Sequence, residues 1–390
     1  MKVLSGFLAA LLFFTAAGVF AQPGSAPDPD GDFMVTRTEH FEIYSSPDDA
    51  LNIARKLEVR FAVYNQFFRF DPAKAVLPLR VKVFGDRELY NSYVESRLGT
   101  VPSEAVYLHY GQADQRELLL CQGGGNEAGA LPYQAFIQFI KAFIPNPPLW
   151  IQEGFAVSFA TLVFNETEDI SYSENLAWLD AVKSMEKPPS PAEIMLQDGR
   201  ERPENFQGLA WSLVSFFMYS GESDYLRSLT ESFMLLSGTK TAEENAETVM
   251  RHITTWNSME KLTEDYIAYL HSRKTFNELI SDGRQAYDEG RPRNAETAFL
   301  GAMELRPAHY APWYYLGLLA YEGGDTDAAG LYYSGALNRG ADAALVNYSL
   351  ALNSIAAGNN SEAVGYLRLS AAAPGSYREK AEALIARLDK

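Results

Sequence analysis

The sequence is poor in the side chains that build metal and redox sites. It has a single cysteine, Cys121, so no intrachain disulfide and no cysteine-based zinc or iron–sulfur site can form. It has only five histidines, and none lies between His109 and His252. Basic residues are also few, 33 against 50 acidic residues, which gives a net charge of −17. Nucleic acids and anionic membranes attract basic surfaces, so this balance argues against both as partners.

The N-terminus has the pattern of a secretory signal peptide. Lys2 provides a positive start, an uncharged apolar stretch runs to Phe20, and small residues precede an expected cut after Ala21. We therefore expect residues 1–21 to be a signal peptide and residues 22–32 a flexible leader. An uncleaved N-terminal membrane anchor is the alternative, since the apolar run is just long enough. With cleavage, the mature protein is periplasmic or secreted and has no membrane contact.

Residues 33–273 alternate strand and helix patterns and then become helical. Apolar and polar residues alternate at 41–44 and 79–84, while 48–68 has apolar residues at helical spacing. Segments 105–110 and 117–121 are two further predicted strands, with 117–121 expected at an edge. Beyond residue 128 the pattern predicts helices, at 132–144, 147–163, 173–185, 205–219, 223–236, 242–253 and 258–272.

One segment resembles a known family. Residues 148–156, Pro-Leu-Trp-Ile-Gln-Glu-Gly-Phe-Ala, are similar to the Pro-x-Trp-x-x-Glu-Gly-x-Ala segment of gluzincin zinc peptidases, in particular the secreted peptidase-MA-like group. The order of elements over residues 35–270 agrees with that group. The resemblance implies an α+β peptidase-like domain, with a small mixed sheet and a helical subdomain. It also implies that Glu153 takes the place of the third zinc ligand.

The sequence departs from that family at the residues that perform the chemistry. Tyr133 and Ile137 stand at the two histidine positions of the His-Glu-x-x-His helix, and Gln134 replaces the glutamate base. Two imidazoles at i and i+4 and a carboxylate base are what zinc hydrolysis requires. We therefore expect no catalytic residue, no metal and no cofactor, but a vestigial site of Tyr133, Gln134, Ile137 and Glu153. A buried Glu153 needs a partner, and we expect a contact from residue 133, 134 or 137, with the Tyr133 hydroxyl or Gln134 amide as the nearest donor.

Residues 274–390 contain a repeat of 34 residues. Gly283, Gly290 and Ala295 match Gly317, Gly324 and Ala329, and Gly358 continues the phase. The period and the Trp313, Leu316 and Gly317 pattern resemble the tetratricopeptide repeat, a helix–turn–helix unit. We expect three units, about 276–309, 310–343 and 344–377, and a C-terminal cap helix, which together form an all-α solenoid.

The resemblance also implies a peptide-binding groove. The first helix of each unit lines the concave face, and Trp313 is expected between helices, away from it. Spacings of four and three keep the lining positions on one helix face. The residues at these positions are Ile280, Arg284, Tyr287, Tyr314, Leu318, Tyr321, Tyr348, Leu352 and Ile355.

The sequence thus favours a secreted or periplasmic non-catalytic adaptor, a pseudo-peptidase domain fused to repeats that bind another protein or peptide. Two alternatives remain open. One is an active zinc metallopeptidase whose metal site is atypical. The other is a purely structural protein, whose repeat face is covered by the peptidase-like domain or the cap helix.

Overall fold

The computed structural model describes residues 22–23, 33–45, 50–100, 104–122, 130–164, 170–171, 174–200, 202–373 and 376–388. The chain divides into two compact units, Met1–Leu270 and His271–Lys390. The predicted signal segment lies outside the described residues. Within the described ranges, no helix combines the length and the apolar character needed to span a bilayer.

A mixed sheet forms the N-terminal part of the first unit. Its strands are β1 (Gln22–Pro23), β2 (Met34–Arg37), β3 (Phe41–Ser45), β4 (Leu79–Phe84), β5 (Ala105–Leu108) and β6 (Glu117–Cys121). The order is β1-β2-β3-β4-β6-β5, with parallel pairing of β4 to β3 and β6 and antiparallel pairing elsewhere. The predicted edge position of 117–121 is therefore wrong. That strand is inside the sheet because β5 folds back along it as a hairpin, which makes β5 the edge.

Three helices cover the two faces of this sheet. They are α1 (Ala50–Phe68), α2 (Arg87–Leu98) and α3 (Ala130–Phe143). Alternate side chains of a strand point to opposite faces. Leu118 and Leu120 accordingly join the large core with α1 and α3, whereas Leu119 and Cys121 pack with α2 residues. Both faces of β6 are buried, and this strand is apolar after Glu117, whereas β3 and β4 alternate apolar side chains with Glu42, Arg80 and Lys82.

The rest of the first unit is helical, apart from the small hairpin of β7 (Val163–Phe164) and β8 (Ile170–Ser171). Its central contact joins the helix that contains Glu153 and Gly154 to the helix that contains Ala210. A Cβ at Gly154 would lie 2.5 Å from the Ala210 carbonyl oxygen, so only glycine permits this approach. The helices are α4 (Leu149–Phe159), α5 (Leu179–Lys183), α6 (Pro191–Met195), α7 (Phe206–Tyr219), α8 (Ser223–Phe233), α9 (Ala242–Ile253) and α10 (Met259–Ser272).

The second unit consists of helix pairs that repeat at the period seen in the sequence. The first helices are α11 (Phe276–Asp288), α13 (Tyr310–Glu322) and α15 (Ala343–Ala356), and the second helices are α12 (Pro292–Leu305), α14 (Thr326–Asn338) and α16 (Asn360–Ala372); α17 (Arg378–Leu388) follows. Gly290, Gly324 and Gly358 each end a first helix with φ of 68°, 79° and 80°. This left-handed conformation suits glycine and closes the turn into the second helix.

Glycine also sets the distance between the helices of a pair. A Cβ at Gly283 would lie 2.5 Å from the Phe299 ring, and one at Gly317 would lie 2.6 Å from the Tyr333 ring. Phe299 and Tyr333 are buried at equivalent positions of α12 and α14. The same glycine–aromatic contact is thus made in two successive pairs, 34 residues apart.

Candidate functional site

Helices α3 and α4 bring Tyr133 and Glu153 together, as predicted. The Glu153 side chain is buried, with 4% of the residue exposed. The Tyr133 hydroxyl donates a short hydrogen bond to Glu153 Oε2. The predicted contact from residue 133, 134 or 137 to Glu153 is therefore confirmed, and Tyr133 makes it.

Three further side chains donate to the same carboxylate. Arg202 Nη2 lies 3.1 Å from Oε2, and Gln207 Nε2 lies 3.1 Å from the same oxygen. Gln207 Nε2 is also 2.7 Å from the Tyr133 hydroxyl oxygen. Gln152 Nε2 donates to Oε1 at 3.1 Å. We call these residues the Glu153 network: Tyr133, Gln152, Glu153, Arg202 and Gln207.

The Glu153 carboxylate is surrounded by hydrogen-bond donors. Arg202 forms an ion pair with the carboxylate and keeps 38% of its side chain exposed, against 5% for Glu153. Burial, followed by the charge of Glu153 and the hydrogen bond to it, raises the pKa of Tyr133. Tyr133 is therefore a protonated donor at neutral pH. Each donor satisfies the buried carboxylate, so the arrangement has the properties of a structural polar centre.

The other two residues of the predicted site lie elsewhere. Gln134 Oε1 accepts a hydrogen bond from the Tyr107 backbone N–H at 3.1 Å, on the edge strand β5. The Ile137 side chain is packed in the large core. Gln134 therefore lies at the strand edge, where its carbonyl oxygen satisfies a backbone N–H, and not at Glu153.

The residues around Glu153 do not fit a zinc ion. Among the described residues, no group of three or more histidine, cysteine, aspartate or glutamate side chains is placed to hold a metal. Zinc in a catalytic site takes three protein ligands. Glu153 is one carboxylate, and a guanidinium already contacts one of its two oxygens. We therefore derive no metal-dependent step for this site.

The sequence did not identify Arg202 and Gln207 as members of the network. Gln207 lies in the first turn of α7, a helix that the sequence pattern does predict. Gln207 comes close to Glu153 because α7 packs on α4 at Gly154. Arg202 lies between helices, where periodicity carries no information.

In the second unit, the nine predicted groove residues lie on the first helices α11, α13 and α15, three on each. Eight are half-buried, and Arg284 is exposed. Tyr287 of α11 donates to Glu322 of α13, and the Tyr314 hydroxyl of α13 lies 3.5 Å from Ser349 Oγ of α15. These contacts link each first helix to the next. We call the nine residues the first-helix face.

The C-terminal segment continues this surface. The ring of Tyr377, just before α17, packs on the Tyr348 ring at a centroid distance of 5.3 Å. The predicted cap helix α17 buries Ala381 and packs Leu384 against α15 and α16. It starts 68 residues after α13, which is two periods of 34, so it takes the place of another first helix.

Trp313 lies between helices, as expected. A Cβ at Gly335 would lie 2.4 Å from its ring, and the Arg339 guanidinium stacks over the ring at 3.8 Å from the centroid. The indole N–H donates to the Pro307 carbonyl oxygen at 3.1 Å. The ring is thus held by α14 and by the turn before α13.

Comparison with known proteins adds no assignment. No protein-family model matches the chain, and no curated protein matches it.

Proposed function

We propose that this protein is a non-catalytic adaptor that acts outside the cytoplasm. In this proposal, residues 33–273 are a gluzincin-like domain without a metal site, and residues 274–390 are tetratricopeptide repeats that bind another protein or peptide. The signal-like residues 1–21 support the location. The observation that carries the binding role is the first-helix face, where partly exposed tyrosine and aliphatic side chains lie on three helices that the Tyr287–Glu322 and Tyr314–Ser349 contacts link.

The chemistry of that face favours a peptide ligand. Tyrosine offers a large apolar ring at a small entropic cost and a hydroxyl that can bond a peptide backbone. Tyr314, Leu318 and Tyr321 are half-buried, so they are held by their own core and still present surface. An apolar peptide in extended or helical form suits such a surface.

The absence of catalysis is supported by the Glu153 network. The residue at the base position, Gln134, has no titratable oxygen and is bonded to Tyr107. Glu153 has four donors around it, including the cationic Arg202. Purified protein should therefore contain no stoichiometric zinc and should not hydrolyse casein. Tightly bound zinc whose removal by a chelator abolishes casein hydrolysis would favour the atypical metallopeptidase instead.

The adaptor role is tested by capture with the chain lacking residues 1–21, immobilised on beads. Tyr314→Ala with Tyr321→Ala should lose proteins that the unmutated chain captures from the periplasmic or secreted fraction. Leu331→Ala with Leu369→Ala is the matched control, because these apolar side chains are 75% and 55% exposed on the second helices. The proposal fails if both double variants capture the same proteins, or if the tyrosine variant unfolds the second unit.

A further inference from the structure

The residue that follows the expected signal-peptide cut lies in the first strand of the sheet. The cut is expected after Ala21, so Gln22 becomes the first residue of the mature chain. Gln22 and Pro23 form β1, which pairs antiparallel with β2 at the edge of the sheet. Pro23 has no backbone N–H, and an edge strand is where a sheet tolerates proline. The N-terminus of the mature chain is therefore part of the fold.

The charge of a free N-terminus is disfavoured at this position. Gln22 pairs with Arg37, so their Cα atoms lie roughly 5 Å apart. Arg37 Nη2 lies 2.7 Å from Glu42 Oε1, and Arg80 Nε lies 3.5 Å from Glu42 Oε2. Two guanidinium groups thus share one carboxylate, which leaves this group of contacts with an excess of positive charge. An α-ammonium group on Gln22 would add a further cation, and like charges on paired strands repel each other.

The first two residues of the mature chain also have the pattern that Xaa-Pro dipeptidyl peptidases remove. These enzymes bind a free α-ammonium group and cleave after a proline at the second position. Removal of that dipeptide would remove Gln22–Pro23, which is the whole of β1. It would leave β2 as the edge strand, with its outer backbone groups unpaired.

We propose that Gln22 is a modification site, at which the mature N-terminus cyclises to pyroglutamate and so protects β1 from removal. The α-amine of Gln22 attacks the carbon of its own side-chain amide, and the new C–N bond closes a lactam ring. The amide nitrogen leaves as ammonia, with the proton that the amine gives up. No oxidant, reductant or further reactant is consumed.

The product changes both properties of the N-terminus. A lactam nitrogen is uncharged, so the repulsion from the guanidinium groups is removed. It is also no longer the free α-ammonium group that a dipeptidyl peptidase binds. The inference rests on the proposed location outside the cytoplasm, because signal-peptide cleavage is what exposes Gln22.

The test uses the full chain, expressed with residues 1–21 in a bacterium and isolated from the periplasm. Free amines of the intact protein are dimethylated before digestion, so that cyclisation of a released peptide is not mistaken for the modification. Trypsin then releases the peptide 22–37, which contains no lysine, so a label in it reports a free α-amine. We expect this peptide to be unlabelled and lighter than its sequence mass by one ammonia. A label on the exposed Lys74 shows that the reaction was complete.

Gln22→Ala is the matched control, because alanine cannot form the lactam and still precedes Pro23. Its peptide 22–37 should be labelled and should have the full mass. An Xaa-Pro dipeptidyl peptidase should remove residues 22–23 from this variant and leave the unmutated protein intact. Circular dichroism and the melting temperature establish that both proteins are folded.

The outcomes separate this inference from the proposed location. A mature chain that begins at Gln22 but has a labelled α-amine and the full mass overturns the cyclisation and leaves the location standing. A chain that keeps residues 1–21, or that begins at another residue, overturns both. The protective role is overturned if the dipeptidyl peptidase trims both proteins equally or trims neither.

Discussion

Replacement of Glu153 by glutamine tests whether the Glu153 network is a structural centre. The substitution keeps the side-chain volume but removes the charge that pairs with Arg202. It also places an amide N–H₂ group against side chains that are themselves donors. The carboxylate accepts from Tyr133, Arg202 and Gln207 at one oxygen and from Gln152 at the other. At least one of these groups therefore loses its acceptor.

The size of the effect follows from burial. A hydrogen bond to a buried charged group contributes about 1.5–3 kcal/mol, and the larger losses apply when both partners are buried. Because Arg202 is 38% exposed, water compensates part of the loss on its side. We therefore expect Glu153→Gln to lower the free energy of unfolding by about 2 kcal/mol. For a unit of this size, the melting temperature should fall by roughly 4–8 °C.

The fall in melting temperature is measured by differential scanning calorimetry of the chain without residues 1–21. Glu247→Gln is the control, because it removes the same charge from an exposed position of α9. Tyr133→Phe should cost about 1 kcal/mol, and the double variant should cost less than the sum because both changes remove the same bond. The reasoning is refuted if Glu153→Gln melts like Glu247→Gln. Loss of a bound metal in Glu153→Gln would likewise show that the carboxylate is a ligand.

Two further predictions concern packing and pH. Gly317→Ala should lower the melting temperature of the second unit, because its Cβ would lie 2.6 Å from the Tyr333 ring and such overpacking costs about 1–3 kcal/mol. Gly365→Ala in α16 meets nothing within 4 Å, so it should raise stability by up to about 1 kcal/mol; equal effects of the two changes would contradict the packing argument. Burial would raise the pKa of Glu58, but hydrogen bonds from His40 and Thr38 lower it overall. The stability that Glu58 contributes is therefore present above the unfolded pKa of 4.5 and is lost as the pH falls through the lower pKa of the folded state. Glu58→Gln should therefore destabilise the protein at pH 7 and much less near the acid end of a urea-unfolding series, and a pH-independent effect would contradict this.

The sequence predicted the helices well where their pattern was strong. Predicted helices 205–219 and 242–253 correspond to α7 and α9 with at most one residue of difference at either end. The predicted helix 173–185 was wrong in extent, since only Leu179–Lys183 is α-helical and a 3₁₀ turn precedes it. The short helix α6 was missed, because five residues are too few to show a period.

Strand order was harder to predict than strand position. The alternation of apolar residues located β4, β5 and β6, but it does not tell which strands are neighbours. The edge was assigned to Glu117–Cys121, whereas the structure has Ala105–Leu108 there. Pairing depends on contacts between distant residues, such as Val81 with Leu118, and no local pattern encodes them.

The candidate site also depends on contacts between residues that are distant in the sequence. Similarity to a family motif suggested a contact between Tyr133 and Glu153, and the structure has it as a hydrogen bond. It could not identify Arg202, which is 49 residues from Glu153 and lies outside any helix. Yet Arg202 is the one cation that pairs with this carboxylate among the described residues. A guanidinium 3.1 Å from Glu153 Oε2 provides the positive charge that a buried carboxylate needs. A zinc ion bound to the same oxygen would lie against that guanidinium and be repelled by it. Arg202 in this position therefore disfavours a cation at Oε2 of Glu153, whether or not histidines are present.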